Sequence, residues 1–265
     1  MTWTLFRAAL HQRRSSLLWF SVGLISYSAF VGWYYPMLAN SGIQAYLDSF
    51  PKELIELFAG SMVDMSTFGG YAATEYLGFM WVLIIASAVI LFATKCLSGE
   101  VASGTMELVL AQPVPRRTLV VVRFGAMLVY AAVLVAATVL PLWAGAAWQD
   151  VAVDVGNLAV FSAAGFLLAA AIGAVTMAIA AVSSDSGKPA GIVGGALGAM
   201  WLLLFLSGNV TWAEKLNPIN VFHYWAPATM VNEGTASAGM WWFYGGLAVV
   251  GAIAAVVLFS RRDVA

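Results

Sequence analysis

The chain has 265 residues, of which 62% are hydrophobic and only 9% charged, with a formal net charge of -1. Soluble domains carry roughly 25% charged residues, so this composition excludes a soluble globular protein and makes lipid the solvent for most of the surface. A single cysteine, Cys96, excludes an intramolecular disulfide and offers no metal cluster. Its place near the end of an apolar run fits a small hydrophobe rather than a reactive thiol.

In chain order, Trp3, Phe6 and Leu10 fall on one side of an N-terminal helix, and Arg7, His11 and Arg14 on the other. That pattern predicts an amphipathic helix in the membrane interface, with His11 a solvated member of a basic face. Six stretches then reach the length of about 20 apolar residues that a span needs. They are 17–37, 76–94, 119–143, 157–182, 189–207 and 240–260. The first is too long for a signal peptide, ends in Trp33-Tyr34-Tyr35-Pro36 and has no small-residue cleavage site, so it reads as a retained helix.

Between spans one and two lies an external segment, 38–75, expected to fold against the membrane surface. Within it Ser49-Phe50-Pro51-Lys52-Glu53 predicts a helix start, with Pro51 in the first turn and Glu53 and Glu56 near the positive end of the dipole. Span five carries Gly191, Gly194, Gly195 and Gly198, two overlapping Gly-x-x-x-Gly spacings. This helix-packing set suits either close packing within one bundle or a seam between two chains. The last external loop, 208–239, collects Trp212, Phe222, Tyr224 and Trp225, which reads as an interfacial aromatic belt.

Lysine and arginine set the orientation. One set of polar segments holds Arg7, Arg13, Arg14, Lys95, Arg116, Arg117, Arg123, Lys188, Arg261 and Arg262, and the other only Lys52 and Lys215. Ten against two predicts both termini in the cytoplasm. No acid, base or histidine falls at mid-membrane depth, which argues against proton-coupled transport and voltage sensing, though neutral sites for sodium stay open. The expected fold is an all-α integral membrane protein: a single domain over 1–265, with six transmembrane helices and an interfacial N-terminal helix.

An energy source is missing. No Gly-x-x-x-x-Gly-Lys-Ser/Thr occurs, and Ser183-Ser184-Asp185-Ser186-Gly187-Lys188 lacks the leading glycine and runs into Pro189. His11 and His223 lie on opposite sides, so they form no metal pair. No Gly-x-Ser-x-Gly elbow is present. Catalysis by this chain is therefore not expected.

The segment 99–117 is the one sizeable polar, patterned stretch. Thr105 is placed to cap a short helix, with Glu107 in its first turn. Met106, Leu108, Val109 and Leu110 give that helix an apolar surface, and Pro113 and Pro115 stop it. Arg116 and Arg117 follow, able to meet lipid phosphates or an acidic partner. Such a helix either plugs into a groove on another protein or merely joins two spans.

Glu100-Val-Ala-Ser-Gly104-Thr105-Met-Glu107-Leu-Val-Leu-Ala-Gln112-Pro113-Val-Pro-Arg116 resembles the stretch between the second and third helices of ABC transporter permeases of the type-2 exporter class. Those proteins show a glutamate, then Gly-Thr, an acidic residue, leucines, a proline and a nearby arginine. The resemblance extends to the six spans, the interfacial helix and the chain length. It implies that Glu100, Gly104, Thr105, Met106, Glu107, Leu110, Pro113 and Arg116 shape a coupling helix seated in a cleft of a separate ATPase chain. It also implies a second ATPase contact through Arg7, His11 and Arg14.

Two ATPase copies holding ATP and Mg, and a second permease chain, identical or a paralogue, complete that assembly in a prokaryotic cytoplasmic membrane. Efflux of a lipid, drug or peptide along the permease interface is the function implied. No nucleic acid is involved. An ATPase-independent facilitator and a membrane anchor that recruits a soluble partner are the alternatives.

Overall fold

The structure, a computed structural model, describes residues 2–39, 41, 65–112, 114–208 and 210–262. The expected helix start at Ser49–Glu56 lies outside the described residues. Helix α1 (Thr2–Gln12) breaks at Arg13 before α2 (Arg14–Ala39), so Arg14 begins the first span rather than ending the amphipathic helix. The third span, α7 (Arg116–Trp148), has 33 residues, or roughly 50 Å at 1.5 Å per residue. It outruns a hydrocarbon core of about 30 Å. Three more long helices follow: α8 (Val155–Val182), α9 (Lys188–Ser207) and α12 (Ala238–Arg261). Between α9 and α12 come α10 (Thr211–Glu214), two 3-10 turns and α11 (Pro227–Glu233).

The second span differs from the expected continuous helix. It is built from α3 (Phe68–Ala72), a π-helical turn (Ala73–Leu77) and α4 (Met80–Cys96), with a 48° bend between its two halves. Thr67 accepts the Gly70 N–H and caps the entry. The Gly78 N–H then reaches back five residues to the Ala73 carbonyl at 2.8 Å. One extra residue in a helical turn shifts the register, and the axis turns. Of the external segment, residues 65–75 lead directly into this bent helix pair. With the bent pair counted as one, six helices among the described residues are long and apolar enough to cross a membrane.

The loop after α9 is also placed differently from an interfacial belt. Trp225 is buried and stacks on Trp81, with centroids 5.3 Å apart and planes within 6°, while Phe161 flanks both rings. The Trp225 Nε1–H donates to the Leu77 carbonyl at 2.8 Å, meeting an acceptor that the π turn leaves over. Asn220 donates to the Met200 carbonyl at 2.7 Å, and the Tyr244 hydroxyl donates to the Val221 carbonyl at 2.7 Å. Trp212 alone of the four singled-out aromatics stands well out, at 57% exposure.

Close helix crossings carry the middle of the bundle. Helix α8 packs along α12, and α2 along α7. At Gly251 an added Cβ would come within 2.8–2.9 Å of the Ala174 and Val175 backbone. Gly32 and Gly145 meet at the α2–α7 crossing, where a Cβ on either would strike the other helix's backbone. The four glycines of α9 show the opposite: a Cβ on Gly191, Gly194, Gly195 or Gly198 meets nothing within 4 Å. Among the described residues their spacing packs no helix.

Gly251→Ala should therefore destabilise the protein by about 1–3 kcal/mol, the range for overpacking a tight contact. Gly195→Ala should leave the monomer unchanged. Thermal unfolding of the two variants in detergent checks the pair, and equal melting shifts would contradict the assigned crossing.

Candidate coupling site at the basic end of the bundle

After α4 the chain runs through α5 (Ser98–Ala102) and α6 (Thr105–Leu110) to Pro115, where α7 starts. Gly104 joins α5 to α6 with φ 71°, a left-handed conformation that glycine adopts without a Cβ penalty. Gly104, rather than Thr105, occupies the cap position. Thr105 is the first helical residue, and its hydroxyl lies 2.8 Å from Ser103 Oγ and 3.3 Å from the Glu100 carbonyl. Glu107 sits in the first turn of α6, as expected.

Seven residues into α7, Arg123 is buried at 5% exposure and forms an ion pair with Glu100, itself 8% exposed. One guanidinium nitrogen, Nη2, donates to the Glu100 carboxylate, and Nη1 donates to the Cys96 carbonyl with the Met106 sulfur at 3.7 Å. The three groups come from the end of α4, from α5 and from α6. A single side chain on the third span thus holds the whole connection to the second. Among the described residues this is the ion pair that forms.

Met106 is fully buried at this pair, so it belongs to the seat of α6 and not to an exposed apolar surface. The outward face is carried by Glu107 and by Leu108, which is 73% exposed, with Ala111 and Gln112 beyond. Val109 is half-buried, and the Leu110 side chain and Pro113 lie outside the described residues.

Arg116 also differs from expectation. Rather than standing free for lipid or an acidic partner, it donates to the carbonyl of Arg262 after α12. Arg262 in turn donates to the Ala181 and Ser183 carbonyls at 3.1 and 2.8 Å, and to Ser184 Oγ at 2.7 Å. The starts of α7 and the ends of α8 and α12 are so strapped together. Arg117 remains exposed. Arg7, His11 and Arg14 are exposed on α1 and the first turn of α2, where they border a groove.

Charge counting had registered Arg123 only as one of ten basic residues. Its pattern carried more. Leu119, Val120, Ala126, Met127 and Tyr130 are buried at helical spacing, and Arg123 falls in the middle of that stripe. A lone arginine on a buried face requires a partner, and Glu100 is the acid that the short connection can deliver.

Removing one member of a buried pair leaves an uncompensated charge at a cost of about 3–5 kcal/mol, whereas replacing both with apolar residues restores most of it. Arg123→Met should accordingly lower the melting temperature in detergent sharply, and the double variant Glu100→Leu/Arg123→Met should recover. No recovery in the double variant would show that the contacts to the Cys96 carbonyl, not the pair, carry the effect.

A comparison with curated proteins finds no match to the chain. The family model described as ABC-2 family transporter protein matches residues 11–264. That match begins inside α1 and takes in each candidate span together with the Glu100–Arg117 connection. The chain belongs to the ABC-2 transporter family, as a multi-pass membrane permease.

Proposed function

We propose that the chain is the membrane-spanning subunit of an ATP-driven exporter, working with a separate ATPase subunit at a prokaryotic cytoplasmic membrane. On this reading both termini are cytoplasmic, and α6 is the helix that the ATPase receives. The observation that carries the proposal is the short helix held from behind and open in front. Met106 and the Glu100–Arg123 pair fix its inner side, while Glu107 and Leu108 present a carboxylate and an apolar side chain outward. A helix of six residues has little stability of its own, so its shape comes from that seat. A preformed helix with one exposed apolar residue suits insertion into a groove.

The ATPase chains supply nucleotide binding and hydrolysis with ATP and Mg, two copies to a pair of permeases. Movement of α6 reaches α4 along the chain and α7 through Arg123. The Arg116–Arg262 strap carries it to α8 and α12. A second permease chain covers the glycine face of α9, which is supported by four glycines that meet nothing among the described residues. Apolar walls without charge at mid-depth favour a hydrophobic or amphipathic cargo, such as a lipid, drug or peptide, moving along that interface.

Glu107→Arg and Leu108→Arg lie on the open face, and neither touches the buried pair. Each should leave the melting temperature of the permease unchanged and cut co-purification of the ATPase subunit at least tenfold. ATPase recovery at the wild-type level with both substitutions together would sink the docking assignment.

A further inference from the structure

We propose that the groove between α1 and the first turns of α2 is a binding site for an anionic phospholipid. Beside the break at Arg13 lies a groove of about 890 Å³, lined by α1, the first turns of α2 and Val133 of α7. Its charged lining is two arginines, Arg7 from α1 and Arg14 from the start of α2, with His11, Thr4 and Ser21 as the other polar groups. No acid lines it, and among the described residues neither arginine forms an ion pair. Arg7 and Arg14 thus border one groove without a carboxylate, and the guanidinium fork matches phosphate oxygens.

The rest of the lining is what distinguishes a lipid from a free phosphate. Trp3 from α1, Leu18 from α2 and Val133 from α7 make an apolar wall beside the arginines. Trp3 and Leu18 are 66% and 57% exposed, a large apolar surface beside charge. Ser21, two turns along α2 from Arg14, joins this wall, and its hydroxyl has no hydrogen-bond partner. Along α2 the order is Arg14, then Leu17 and Leu18, with Val133 of α7 facing the same groove, which matches a phospholipid's headgroup followed by its acyl chain. An acidic protein partner would meet the cations but would leave the apolar wall uncovered.

The site also has a route to the rest of the bundle. Helix α1 packs on α7, where a Cβ on Gly125 would lie 4.0 Å from the Phe6 ring. Gly125 is two residues from Arg123. A lipid that draws the Arg7 and Arg14 sides together fixes α1 against the same helix that holds Glu100. The inference stands on the groove alone and does not require the ATPase partnership proposed above.

The test uses the whole chain in nanodiscs of mixed phosphatidylglycerol and phosphatidylcholine, followed by detergent extraction and native mass spectrometry. The wild type should retain phosphatidylglycerol over phosphatidylcholine. Arg7→Gln/Arg14→Gln should lose that preference at least fivefold, with an unchanged melting temperature in lipid-free detergent. The control Arg117→Gln/Arg261→Gln, which removes two exposed charges elsewhere at the basic end, should keep it. Equal retention in the first variant, or equal loss in the control, overturns the proposal. So does retention that persists while an ATPase subunit no longer co-purifies with Arg7→Gln/Arg14→Gln, because the cations would then serve the protein partner.

Discussion

Burying a guanidinium and a carboxylate at the edge of a membrane bundle is costly, and the arrangement around Arg123 follows from that cost. Neither charge can be left alone in a low-dielectric site, so Glu100 and Arg123 must stay together. The carboxylate accepts from one guanidinium nitrogen, and the other is met by the Cys96 carbonyl, with the Met106 sulfur alongside. Three successive elements of the chain are thereby fixed to one point on α7. A rearrangement of α5 and α6 relative to α7 has to break the pair, whereas a motion of all of them together does not.

The same accounting of polar groups explains the two ends of the bundle. Lipid offers no hydrogen-bond partners, so helix ends and broken turns must be satisfied from within the protein. At the end opposite the basic one, Asn157 donates to the Val231 and Asn232 carbonyls, which terminate α11. Asn232 accepts from the Gly69 N–H and donates to Thr67 Oγ1, closing the entry to α3. Trp225 covers the carbonyl left over by the π turn. At the basic end the Arg116–Arg262 strap does the equivalent for α8 and α12. Between the ends, Ser28 meets Tyr76 and Trp81 meets Thr138 inside the bundle. Helix α9 stands apart, with few buried residues and four uncovered glycines.

Much of this was legible in the sequence, and the misses share a cause. Long apolar runs located five spans to within a few residues, because length and hydropathy set the minimum for crossing lipid. The break in span two was hidden, since a hydropathy window is blind to a π turn, and Glu75 pulled the expected start inward past Phe68. Aromatic residues after α9 read as a belt because Trp and Tyr suit an interface; only the geometry reveals that Trp225 faces Trp81 instead. In the connection, Gly104 and Thr105 were both singled out, yet which of them caps α6 depends on one φ angle. Met106 and Leu108 are two residues apart on a six-residue helix, and no periodicity over so short a run tells the seat from the face. Contacts between distant segments, such as Arg116 with Arg262, leave no local trace.

A helix that must transmit a push has to be stiffer in its mounting than in its contact with the partner. The mounting of α6 combines a charged pair out of water with a fully buried methionine, whereas among the described residues its open face offers the Glu107 carboxylate and the Leu108 side chain. An exposed pair is worth up to about 1 kcal/mol and burial of one large apolar side chain about 1.5–3 kcal/mol, neither above the roughly 3–5 kcal/mol lost when a buried pair is broken. On the proposed reading, a pull on α6 would therefore release the partner before it tore α6 from α7. Load would pass into α4 and α7 as one body, and the strap would extend that body to α8 and α12. Relative motion is then left to the contacts with the fewest constraints, and in this chain those belong to α9 and its uncovered glycine face.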